Sequence, residues 1–212
     1  MLSSLKHALA ALRNGKPVVL YDGDEREGEA DLVYHAHSIT PEKIHRLRRD
    51  AGGLICVALG EGIAGKIGIP FISDIIASSG RLHKMVVKKT AYGDKPAFSI
   101  AVNHKDVYTG IPDNDRALTI KRLAGIIRRN NGLQKDFIKN FYTPGHVFLL
   151  IGRGIRNRRG HTELSLALAE RARLPGIMVL CEMLGKGKAL NKAQARAYAE
   201  KNKLVFIEGS DI

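Results

Sequence analysis

Val147-Phe148-Leu149-Leu150-Ile151 runs into Gly152-Arg153-Gly154-Ile155-Arg156-Asn157-Arg158-Arg159-Gly160, then His161-Thr162-Glu163-Leu164-Ser165-Leu166-Ala167-Leu168, and beyond Pro175 into Gly176-Ile177-Met178-Val179-Leu180-Cys181. The two apolar runs have the length of buried strands, and the stretch between Thr162 and about Leu174 carries a helical pattern. Strand, basic loop, helix, strand is the unit from which the fold is read. Thr162, just before the apolar positions, is a candidate N-cap.

Outward from this unit, further strands are predicted at Pro17 to Tyr21, Asp31 to Ala36, Gly53 to Leu59, Ala97 to Val102 and Lys203 to Ile207. Met1 to Leu12 mixes Lys6 and His7 with apolar residues and reads as an amphipathic helix, not a signal peptide. Thr40-Pro41-Glu42 offers an N-cap with proline at the first helical position. Asn191 and Gln194 have capping-box spacing before a helix to Asn202. Asp115 opens a further helix, with Gly132 as its stop beyond Asn130. Strands mixed with helices imply an α/β or α+β fold, a sheet flanked by helices in one domain over 1–212. The order of the strands is not dictated by these patterns.

The 212 residues are 44% hydrophobic and 26% charged, an ordinary globular balance. No apolar run is long enough to span a bilayer. Cys56 and Cys181 lie in apolar strand sequence without CxxC spacing, as expected of buried thiols in a reducing, cytoplasmic setting. The formal charge of +13 is spread along the chain, and aromatic residues make up only 6%. That pattern suits attraction of small phosphorylated substrates and lacks an RNA-reading signature, so neither nucleic acid nor membrane is expected as a partner.

Against this cationic background, six of the ten residues in Asp22-Gly23-Asp24-Glu25-Arg26-Glu27-Gly28-Glu29-Ala30-Asp31 are acidic. Like charges at this density repel unless a cation sits among them. In extended chain Glu25, Glu27, Glu29 and Asp31 would line one side, a hard-oxygen face suited to Mg²⁺ or Mn²⁺.

The loop before His161 has a complementary character. A helix N-terminus binds phosphate through its free N–H groups. Arg158 or Arg159 can add a bidentate clamp, Thr162 a hydroxyl, and Gly160 a close backbone approach. His161 at the same turn is a candidate metal ligand. His146, in Pro144-Gly145-His146-Val147-Phe148, and Glu182, after Cys181, stand at strand ends and are candidates for moving protons. His35 and His37 share a strand face with no completing ligands and read as structural.

Together, and in this order, the segments resemble the 3,4-dihydroxy-2-butanone 4-phosphate synthase family. Arg26-Glu27-Gly28-Glu29-Ala30-Asp31 resembles its Arg-Glu-x-Glu-x-Asp pattern, and Thr109-Gly110 through Asp115-Arg116 to Thr119 its Thr-Gly stretch. Pro144 to Phe148, Arg158 to Glu163 and Cys181-Glu182 resemble three further motifs. Thr143 stands where bacterial members usually carry Arg, Pro112-Asp113 replaces Ser-Ala, and Arg159 replaces a glycine.

The resemblance implies a mixed sheet and a homodimer with active sites near the subunit interface. It implies a lyase of riboflavin biosynthesis that uses a pair of divalent ions, Mg²⁺ or Mn²⁺. It implies the single-function form, without a GTP cyclohydrolase II domain. The substrate it implies is ribulose 5-phosphate, which would lose carbon 4 as formate. Glu27 and His161 would hold metal. Arg26, Glu27, Asp31, Arg158, Arg159, Gly160, His161, Thr162 and Glu182 would contact substrate, and His146 and Glu182 would transfer protons. A metal-dependent sugar-phosphate isomerase or aldolase needs similar parts and is separated by formate among the products. An RNA-binding protein would be supported by net charge alone, and its acidic loop would repel phosphodiesters.

Overall fold

The computed structural model describes residues 2–86, 90 and 93–212; Met1, at the start of the first expected helix, lies outside them. The strands are β1 (Val18–Tyr21), β2 (Ala30–His35), β3 (Cys56–Leu59), β4 (Phe98–His104), β5 (Phe141–Ile151), β6 (Ile177–Glu182) and β7 (Val205–Glu208). They form one sheet in the order β4-β5-β3-β6-β2-β1-β7. It is mixed: β3 runs parallel to β5 and β1 to β7, while the β1/β2, β2/β6, β3/β6 and β4/β5 pairs are antiparallel. Every residue of β1, β2 and β3 is buried, which is why these strands read as near-continuous apolar runs.

Helices cover both faces. α2 (Pro41–Arg46), α5 (Asp113–Arg129), α6 (Leu133–Asn140) and α8 (Lys192–Lys201) pack on one face through Ile44, Ile120, Phe137 and Ala195. α1 (Leu2–Arg13) and α7 (His161–Arg171) cover the other through Leu12, Leu164 and Leu168. The short helices α3 (Glu61–Ile67) and α4 (Ile72–Ala77) lie between β3 and β4.

Local chemistry accounts for several boundaries and corrects others. The Thr40 cap holds, and Asn191 with Gln194 forms a reciprocal capping box at α8. α5 begins at Asp113, not Asp115, whose carboxylate instead accepts the Thr109 and Gly110 N–H groups. Asn130 in a left-handed conformation ends α5, and Gly132 caps α6, a helix not among those expected from the sequence although Leu133 and Phe137 stand four apart on its buried face. Gly160 is the N-cap of α7, so Thr162 lies inside the helix and is buried. β5 starts six residues before the expected Val147. On its partner, Val102 pairs with Val147 but Asn103 with Tyr142, so residues 143–146 form a wide bulge that accommodates Pro144 inside a strand.

Candidate active site

β1 ends at Tyr21 and the acidic segment follows, but it is curled, not extended. The buried Asp22 carboxylate accepts the backbone N–H of Glu27 (3.1 Å) and of Glu29 (3.2 Å), winding the loop around itself. The expectation that Glu25, Glu27, Glu29 and Asp31 share one side therefore fails: Glu25 is exposed at a groove, while Glu27 and Asp31 line an inner cavity.

α7 meets this loop with its first residue. His161 is buried, and its Nε2 donates to the Glu29 carbonyl at 3.1 Å. That bond leaves Nδ1 as the lone-pair nitrogen of the neutral ring, 3.9 Å from Glu27 Oε2. Asp22, Glu27 and His161 each offer one ligand atom, and the three atoms lie within 4.8 Å of one another. Burial alone would depress the His161 pKa, but Asp31, Asp22 and Glu27 outweigh it and raise the value above that of an ordinary histidine.

Two further carboxylates close the cavity. Strand register places Asp31 opposite Glu182. Asp31 is buried, its Oδ1 has no hydrogen-bond partner, and burial with nearby Glu182, Glu27 and Asp22 pushes its pKa up to about 7 despite His161. A buried, orphaned carboxylate oxygen beside a two-carboxylate, one-imidazole cluster fits a divalent cation. Glu182 Oε2 accepts the Leu54 N–H at 2.8 Å. A Cβ on Gly53 would overlap the Glu182 carboxylate, so the glycine makes room for that side chain.

Arg158 is buried among acids. It donates to Glu163 at 2.6 Å and lies 3.4 Å from Asp94 and 3.8 Å from Glu27. A Cβ at Gly160 would overlap its guanidinium. Arg26 contacts Asp22 at 3.6 Å and Asp94 at 2.6 Å. Arg159 is exposed and donates to the Gly209 carbonyl. The inner cavity, of about 190 Å³, is lined by Glu27, Asp31, Arg158, His161, Thr162 and Glu182. A groove of about 630 Å³ is lined by Asp22, Arg26, Asp94, Arg158 and Arg159. Arg158 belongs to both.

The structure thus brings together Arg26, Glu27, Asp31, Arg158, Gly160, His161, Thr162 and Glu182, with Arg159 at the outer groove. His146 is not among them. It is exposed in the β5 bulge, where its N–H donates to Asn103 Oδ1 and its Nδ1 accepts from the same amide. Sequence reasoning underweighted Asp22, the centre of the acidic turn, and missed Asp94 and Glu163. Glu163 follows the His-Thr pair and had a visible signal; Asp94, in Gly93-Asp94-Lys95-Pro96, had none.

Residues 6–212 match the family model of 3,4-dihydroxy-2-butanone 4-phosphate synthase. The chain belongs to this family. It is 44% identical to the 3,4-dihydroxy-2-butanone 4-phosphate synthase of Methanothermobacter thermautotrophicus over 98% of this chain and 93% of that protein. The Methanosarcina acetivorans synthase is 42% identical over 99% and 89%. A crystal structure of 3,4-dihydroxy-2-butanone 4-phosphate synthase in complex with two magnesium ions matches at TM-score 0.78 and 28% identity, over 98% of this chain and 93% of that one. The mixed sheet and its helical layers are therefore the fold of 3,4-dihydroxy-2-butanone 4-phosphate synthases.

Proposed function

We propose that the chain converts D-ribulose 5-phosphate into L-3,4-dihydroxy-2-butanone 4-phosphate and formate for riboflavin biosynthesis, the reaction for which its family is named. The observation that carries this at the site is the Asp22, Glu27 and His161 cluster, set beside the orphaned Asp31 oxygen and Glu182 at the opening of α7. The sugar is expected in the inner cavity, with its phosphate toward Arg158 and the first N–H groups of α7.

Asp22, Glu27 and His161 would hold Mg²⁺ or Mn²⁺, and the orphaned Asp31 oxygen leaves a further ligand position for a second ion. Bound there, a divalent cation supplies positive charge toward which the sugar's carbonyl and hydroxyl oxygens can be polarised. Proton movement falls to the chain's own groups. Glu182, held in place by the Leu54 N–H, is suited to take the proton beside the carbonyl and return it where water leaves. Arg158 and α7 fix the phosphate end so that neighbouring carbons stay in register during the rearrangement.

His146 keeps a proton-transfer role if a second copy of the chain brings the β5 bulge over the substrate. Exposed Tyr108, Ile111 and Tyr142 stand in the same region and favour burial in a homodimer. No helix among the described residues is long and apolar enough to cross a membrane. Two buried free thiols favour a reducing cytoplasm.

The test measures formate release from ribulose 5-phosphate as Mg²⁺ is titrated into chelator-treated protein, for the wild type and for Glu182→Gln and His146→Ala. Formate that depends on Mg²⁺, with each variant binding metal normally and turning over at least about 100-fold more slowly, is expected. A variant whose rate recovers at high Mg²⁺ would place that residue among the ligands instead.

A further inference from the structure

Asp94 Oδ2 lies 2.6 Å from an Arg26 guanidinium nitrogen and 3.4 Å from Arg158 Nε. One carboxylate thus bridges two arginines that belong to different elements. Arg26 comes from the curled acidic loop after β1 and Arg158 from the loop before α7, whereas Asp94 arrives from the segment leading into β4. Arg26 and Asp94 line the outer groove, and Arg158 lines both that groove and the inner cavity, so the bridge sits where the two spaces meet. Asp94 is itself partly exposed, with its side chain 25% accessible.

The other acids around these arginines are built in. Glu163 is fully buried on α7, and its second oxygen accepts the Arg153 N–H. Asp22 is fully buried and holds the loop's backbone. Removing either would leave buried groups without partners. Asp94 is different. Among the described residues its side chain pairs with these two arginines, and it is itself partly accessible. Its Oδ2 faces both guanidinium groups at once, as a phosphate oxygen would.

We propose that Asp94 occupies the place of the substrate's phosphate on Arg26 and Arg158, and that a phosphorylated sugar enters by displacing it. This rests on the reading above that the phosphate is held on the Arg158 side. Asp94 would thereby set specificity. A neutral sugar has nothing with which to displace the carboxylate, while a dianionic phosphate outbids a monoanion for the same two cations. The competing possibility is that Asp94 is a positioning residue, holding the arginines in the orientation that phosphate needs. The two roles give opposite signs for the same substitution. A competitor that is removed frees the competent state and tightens anion binding, whereas loss of a positioning residue weakens it.

The experiment measures the affinity of the full-length protein for inorganic phosphate by calorimetry, together with KM for ribulose 5-phosphate. It uses the wild type, Asp94→Asn and Arg158→Lys, with thermal melts confirming folding. Asp94→Asn keeps size and shape and removes the charge. We expect it to bind phosphate about three- to tenfold more tightly than the wild type, as freeing a charge-assisted pair implies, and to lower KM in the same direction. Weaker phosphate binding or a higher KM in Asp94→Asn, or unchanged values in both, overturns the displacement role. Failure of the underlying phosphate assignment is distinguishable. In that case wild type and Arg158→Lys bind phosphate equally, whereas a wrong role for Asp94 alone leaves the Arg158→Lys defect in place. If Asp94→Asn melts early, Asp94→Ser supplies a second neutral side chain, and the same sign decides.

Discussion

At the scale of single residues, the decisive feature is how the acids are compensated. Asp22 is held by two backbone N–H groups, and one of its carboxylate oxygens lies within 4.8 Å of ligand atoms of Glu27 and His161, so the proposed metal site includes it. Glu27→Gln, His161→Ala and Asp22→Asn should each lower Mg²⁺ affinity at least about tenfold, the loss of one ligand contact; calorimetric titration reads this directly, and normal affinity removes that residue from the set. Arg158 carries a second expectation. From the sequence it is a phosphate clamp whose loss raises KM, but the structure buries it against Glu163. Arg158→Ala strands that carboxylate, so it should also cost about 3–5 kcal/mol of stability. The exposed Arg159→Ala should melt like the wild type. Equal melting of both variants would contradict the buried pair. Glu27, Asp31, His161 and Glu182 were legible as candidates because acids and imidazoles are costly beside apolar strands. Asp94 was not, since its role comes from contacts 68 and 64 residues away in sequence, with Arg26 and Arg158, that no local pattern encodes.

Among elements, β1, β2 and β3 were readable because burial on both faces makes them short apolar runs, and the α2 and α8 starts because their caps are local chemistry. The β5 bulge and the swap of Asp115 from cap to loop brace depend on pairing across the chain and were not readable. The exit of β2 supplies a pH test. The His35 and His37 rings stack at 5.1 Å and donate to the Pro175 and Ala124 carbonyls. Burial lowers both pKa values below the usual histidine value, outweighing those carbonyl bonds. The unfolded chain therefore binds more protons below about pH 6.5, so their contribution to stability is present above that value and is lost as pH falls toward the folded values. Thermal melts should show Tm falling from pH 7.5 to 5, and His35→Gln, which keeps a donor but does not titrate, should flatten that fall. An identical slope in the variant would remove His35 as a source of the acid sensitivity; the Asp31 and His161 pKa values are raised, so those groups take up protons on folding and act in the opposite direction.

For the molecule as a whole, two features fit the proposed homodimer: His146 stands outside the cavity, and Tyr108, 96% exposed, lies in the same region as exposed Ile111 and Tyr142. Sedimentation should therefore give twice the chain mass, and Tyr108→Glu with Ile111→Glu should return it to the monomer with loss of turnover. A fully active monomer would detach His146 from the chemistry. The central claim is the fate of one carbon. Ribulose 5-phosphate labelled with carbon-13 at position 4, incubated with the protein and Mg²⁺ and followed by NMR, should place the label in formate, matched one for one by an unlabelled four-carbon phosphate. Label that remains in pentose phosphates, or that appears in a two- or three-carbon fragment, would contradict the lyase assignment in favour of an isomerase or an aldolase.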